Sequence, residues 1–74
     1  MNFEEYTSDR LWTILVEAVH ELVMYPHHKA YVRDVLFPEK PDMKAEELAS
    51  KLKISLGEAL VILCELTDER KQQH

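Results

Sequence analysis

An all-α fold is predicted for this chain, as one small domain, from three observations. The 74 residues include one glycine and three prolines, too little turn chemistry for a sheet built of hairpins. No Asn-Gly or Asp-Gly pair occurs, and no sustained alternation of apolar and polar residues marks a half-buried strand. Apolar residues instead recur at helical spacing in four segments, separated by prolines or capping residues. The expected architecture is a bundle of about four helices.

The first helix is expected over residues 8–25. Ser8 or Asp9 can cap it, and Pro26 disfavours helix in the residue before it. Its apolar residues, from Leu11 and Trp12 through Val16 and Val19 to Val23, cover most of the wheel. A helix packed on one side needs an apolar stripe of only about 100°. This helix should therefore be central, or shared with another chain. Phe3 and Tyr6, ahead of the cap, are placed to pack back on it as a staple.

The second helix is expected over residues 26–37. Pro26 suits a first turn, and Tyr31 with Val35 and Val32 with Leu36 share faces. Residues 38–42, opening Pro38-Glu39-Lys40-Pro41, read as a loop. The third helix is expected over residues 43–53 with Asp42 as N-cap. Ala45, Leu48, Ala49 and Leu52 form its stripe, and Glu47 and Lys51 are spaced to pair. The fourth is expected over residues 55–70, where Ser55 and Glu58 form a capping box. The tail, residues 71–74, is expected to fray.

Composition narrows the functional classes. Fourteen acidic residues against nine basic ones give a formal net charge of −5, and neither half of the chain has a basic excess. Binding to nucleic acid through phosphates needs clustered Lys and Arg. The lone Cys64 excludes an internal disulfide. The polar, acidic N-terminal stretch lacks the basic-then-apolar pattern of a secretory signal, and no apolar run is long enough to span a bilayer. The expectation is a cytoplasmic location. A domain of this length buries only about 60% of the surface its unfolded chain exposes, so a partner or second copy would assist it.

Residues 45–62, AEELASKLKISLGEALVI, carry the one motif with content. A small residue, Ala49, stands where a second helix would cross. Leu48 and Leu52 flank it, Ile54 plugs the turn, and Ala59 and Ile62 return to the core. This segment resembles the helix-turn-helix of the winged-helix and tri-helical superfamily. The resemblance implies a helix-turn-helix-like pair formed by the third and fourth helices. It also implies a left-handed backbone at Lys53, where the family usually has glycine. No strand pair follows, so no wing is expected within these residues; a winged relative would have lost it or would carry it outside this chain.

DNA-binding members read base edges with the outward start of the second motif helix. Here those positions are Ser55, Leu56, Gly57, Leu60 and Val61, beside an acidic strip of Glu58, Glu65 and Glu69. Base reading favours Arg, Lys, Asn and Gln. The outward positions are apolar or acidic instead, which shifts the expectation from nucleic acid to protein. Lys44, Lys51 and Lys53 are the candidate phosphate contacts in the alternative reading. On a helix surface, scattered lysines of this kind are more often a solvated face.

The other reactive residue types give bland readings. His20, His27, His28 and His74 with Cys64 have no metal-ligand spacing, and the histidines are read as solvated. Cys64 is read as a small apolar residue in a packed helix. No catalytic motif is present, so neither an enzyme nor a cofactor is expected.

The leading expectation is a protein–protein interaction module on a helix-turn-helix-like scaffold, self-associating or docked in an assembly. The contact residues would be Leu56, Leu60, Val61 and Cys64 on the fourth helix, with Trp12 and Val16 on the first. A small DNA-binding regulator acting as a dimer is the alternative. An ordinary four-helix monomer, in which the match of the third and fourth helices to the motif is coincidental, is the third.

Overall fold

The computed structural model describes residues 8–72, and side chains over residues 9–70. The expected staple of Phe3 and Tyr6 and the fraying tail lie outside the described residues, the tail in all but its first two backbone positions. Among the described residues the fold is all-α, with four helices and no strand. α1 is Ser8–His20. α2 covers residues 25–39 as three continuous segments, Tyr25–Tyr31, a π-helical turn Val32–Leu36, and Phe37–Glu39. α3 is Ala45–Leu52 and α4 is Leu56–Gln72.

α4 organises the bundle, packing against both α3 and α1. One core joins all four helices: Val19 from α1, Tyr25, Val32 and Leu36 from α2, Ala45 and Leu48 from α3, and Ala59, Val61, Ile62 and Leu66 from α4. Met43, in the turn before α3, completes it. Leu15, Val16, Ala49, Leu52 and Ile54 pack around its edge. Gly57 marks the crossing of α1 over α4. A Cβ there would stand 3.0 Å from Leu15 Cδ1, so the missing side chain lets the two helices approach closely.

α4 runs two residues past its expected end, to Gln72, and the helix boundaries depart from expectation at three further places. α1 stops at His20, five residues early. Tight backbone bonds from Glu21 to Ala18, Leu22 to Val19 and Tyr25 to Leu22 turn the chain over residues 21–25. The corner directs Tyr25 inward and leaves Val23 exposed, although both continue the apolar run. Pro26 sits inside the first turn of α2, where a missing N–H costs no hydrogen bond.

α2 then runs two residues past the expected end, through Pro38. A proline ring normally clashes with the carbonyl four residues earlier. Here the preceding turn widens, with the Phe37 N–H donating to the Val32 carbonyl, and the wider π-turn accommodates the ring. The loop shrinks to a turn over Lys40–Met43, closed by Met43 N–H on the Lys40 carbonyl at 3.2 Å.

α3 begins two residues late. Lys44, not Asp42, occupies the N-cap, in extended conformation and without a side-chain cap bond. Glu47 pairs with Lys40 at 2.8 Å rather than with Lys51, because the turn brings Lys40 beside the first turn of α3. At the other end Lys53 is left-handed, φ 58° and ψ 44°. It is the only non-glycine residue with positive φ among those described. The Ile54 N–H reaches the Ala49 carbonyl at 3.0 Å, closing the helix with a Schellman-type bond. Ser55 caps α4 as its sequence pattern indicates, its Oγ accepting from the Glu58 N–H at 3.0 Å.

Candidate functional site

The outward arc of α4 is built by helix periodicity. Leu56, Leu60 and Cys64 recur every four residues, which aligns them as one ridge. All three are exposed, Leu56 by 46% and Leu60 by 38%. Beside the ridge runs an open groove of about 380 Å³, lined by Ala45 at the start of α3 and by Leu60, Leu63, Cys64, Thr67 and Asp68. The surface is apolar along its middle and acidic at the Asp68 end. Exposed apolar surface of this kind has nothing to gain from water.

Not every expected contact residue belongs to it. Val61 is 0% exposed and lies in the core. Helix rotation separates it from Leu60 by about 100° and places it one turn beyond Gly57. The expectation that Val61 faces outward is therefore corrected. Val16 is half-buried on α1 against the core. Trp12 is 37% exposed on α1, and it does not line the groove. α1 thus covers one side of α4, at Gly57, and leaves the Leu56–Leu60–Cys64 ridge open.

The glutamates of α4 stand elsewhere. Glu58, Glu65 and Glu69 follow one another at spacings of seven and four, sharing a face that turns toward α2 and the end of α1. Glu58 is 4% exposed, and His28 Nδ1 lies 2.6 Å from its Oε2. Glu65 accepts from the Tyr25 hydroxyl, meets His20 Nε2 at 2.8 Å and Lys29 Nζ at 3.3 Å. Lys29 also binds Glu69 at 2.6 Å. The rings of His20 and Tyr25 lie 5.1 Å apart beside them. The expected acidic strip is thus paired within the chain in a polar seam, buried at Glu58 and open to solvent at His20 and Glu69, and His20 and His28 are structural partners rather than simply solvated groups.

Sequence reasoning missed Tyr25, His28 and Lys29 as a set. The available signal was their spacing: three and four residues from Tyr25, they form one face that matches the glutamate face of α4. The seam gives the carboxylates hydrogen-bond partners and holds the α1–α2 corner onto α4. Its groups are engaged with one another, with no buried polar side-chain atom lacking a partner among the described residues.

Lys44, Lys51 and Lys53 are exposed, with Lys44 at one end of α3 and the other two at its far end. Other cations are bound to carboxylates: Lys29 as above, Lys40 to Glu47, and Arg33 to Asp34 at 2.9 Å. Arg70 lies 5.9 Å from the Phe37 ring centre, over a small recess shared with Arg33, Leu66 and Glu69. Among the described residues, no three His, Cys, Asp or Glu side chains are placed to hold a metal ion, and no helix is long and apolar enough to cross a membrane.

Comparison with known proteins adds no relative: no family model, no curated protein and no solved structure matches the chain.

Proposed function

We propose that this chain is a protein–protein interaction module on a helix-turn-helix-like scaffold, using the outward arc of α4 as its docking surface. The observation that carries this reading is the exposure of Leu56, Leu60 and Cys64 as one ridge beside an apolar groove. The left-handed Lys53 and the burial of Leu48, Ala59 and Ile62 support the scaffold. The module has no catalytic role in this reading. A reducing, cytoplasmic setting suits the exposed thiol of Cys64.

The alternative, a dimeric DNA-binding regulator, rests on Lys44, Lys51 and Lys53, which are all exposed around α3. Against it, the outward start of α4 offers leucines where a base-reading helix needs paired donors and acceptors.

The test is photo-crosslinking with Leu60→benzoylphenylalanine in the intact cell. The reading expects a protein adduct at position 60, and no comparable adduct with the same residue at exposed Glu17. Equal labelling at both positions, or none at position 60, overturns it.

A further inference from the structure

Resting on the docking surface just proposed, we infer that its occupant is a second copy of this chain, with α4 pairing antiparallel to α4 about a twofold axis at Leu60. A twofold interface must be self-complementary, the same patch meeting itself in reverse order. The outward arc of α4 has that property. Its centre is Leu60, with Leu56 one turn before and Cys64 one turn after. Reversal about Leu60 sets Leu60 against Leu60, and Leu56 against Cys64 on both sides of the axis.

The charges at the ends obey the same symmetry. Lys53 is exposed in the turn three residues ahead of Leu56, and Asp68 lines the groove four residues after Cys64. Reversal about Leu60 sets Lys53 of each copy opposite Thr67 of the other, one residue from Asp68 and within the reach of a lysine side chain. A pair shifted by one turn either way loses this charge pairing: with Leu60 against Cys64, Leu56 meets Asp68 and Lys53 falls level with position 71; with Leu56 against Leu60, Lys53 falls level with Leu63, five residues short of Asp68. The groove beside the ridge, lined by Ala45 of α3 and by Leu60, Leu63 and Cys64 of α4 among others, supplies the concave surface that a ridge from the other copy enters. No other charged side chain interrupts the arc between Lys53 and Asp68, because Glu58 and Glu65 are turned to the seam with α1 and α2.

A seam of three turns buries less than the roughly 800 Å² per partner of a standard interface. The dimer therefore exchanges with monomer rather than being permanent.

Cysteine cross-linking of the purified full chain tests the geometry. In the paired arrangement the two native Cys64 residues are offset by eight residues, about 12 Å along the helices, beyond disulfide reach. The L60C/C64S variant places its thiols at the axis, and L56C places a new thiol against native Cys64 of the other copy. Mild oxidation is expected to convert most of L60C/C64S, and most of L56C, to a species of doubled mass, while wild type stays uncoupled. A second measurement uses charge: D68K is expected to reduce the L60C/C64S product severalfold, and K53D with D68K to restore it. Circular dichroism confirms that each variant folds.

Uncoupled L60C/C64S and L56C in folded protein overturn the second-copy inference, as does efficient coupling of wild type through Cys64. The photo-adduct at position 60 separates the two readings. An adduct with a different protein ends the second-copy inference and leaves the docking surface in place, while absence of any adduct ends both.

Discussion

His28 Nδ1 and Glu58 Oε2 lie 2.6 Å apart at the junction of α2 and α4, joining residues 30 apart in the chain. Glu58 is the one charged residue among those described that is almost wholly buried. A buried carboxylate deprived of its partner costs more than the pair contributes. H28A is expected to lower unfolding stability by about 1–3 kcal/mol. H28A in an E58Q background is expected to cost distinctly less. Urea denaturation of the four proteins in this cycle measures the coupling. Additive effects would show that the contact contributes nothing specific.

Lys53 holds a left-handed backbone, which costs an L-residue with a Cβ roughly 1–2 kcal/mol. Part of the relief on replacement by glycine is offset by the greater freedom of the unfolded chain. K53G is expected to raise stability by about 0.5–1 kcal/mol, and K53V to lower it. A shift of the urea midpoint in opposite directions for the two variants checks the conformation. Destabilisation by glycine would mean that the Lys53 side chain contributes more than its backbone strain.

Leu60 and Val61 are neighbours in sequence, about 100° apart around α4. Val61 is in the core and Leu60 is 38% exposed. V61A is expected to cost about 2 kcal/mol in the monomer, and L60A under about 1 kcal/mol. Thermal and denaturant unfolding at high dilution supplies both values. The reverse order would contradict the assignment of the outward arc.

Two exposed ion pairs set a small pH dependence. Hydrogen bonding from Lys40 holds the Glu47 carboxyl below the ordinary carboxylate range, aided by charge attraction. Asp34 is lowered in the same way by Arg33. A carboxyl depressed in the folded state adds stability above its unfolded value, and that stability is lost as pH falls through the depressed value. Lys40 is raised by Glu47, so its contribution is present below its unfolded value and lost as pH rises through the folded one. Both pairs are open to solvent and screened by salt. In K40M, NMR titration is expected to show the Glu47 carboxyl moving upward toward its ordinary value. An unchanged titration would remove the pair from the account.

Much of the frame was legible because local chemistry decided it. Ala45, Leu48, Ala49 and Leu52 are stripe residues wherever that segment is helical. Ser55 caps α4 through a bond spanning three residues. The left-handed backbone at Lys53 was expected only through the resemblance to the helix-turn-helix family, not from lysine's own preference. What was not legible depends on partners far along the chain. The end of α1 is masked because Leu22 and Val23 continue its apolar pattern, whereas the corner is held by Tyr25 and His20 reaching Glu65, 40 and 45 residues away. The inner and outer sides of α4 were equally obscure. Its first half is apolar nearly all round, so periodicity could not assign Val61 to the core and Leu60 to the surface. The close approach at Gly57 beneath Leu15 settles which side α1 covers.

The outward arc of α4 as an association surface is tested most directly by sedimentation equilibrium of wild type and L60E across a wide concentration range. Helical circular dichroism is measured on the same samples. The account expects a concentration-dependent monomer–dimer equilibrium in wild type. It expects a strictly monomeric L60E with an unchanged helical spectrum. An L60E protein that unfolds, or one that stays folded and associates as wild type does, would contradict it.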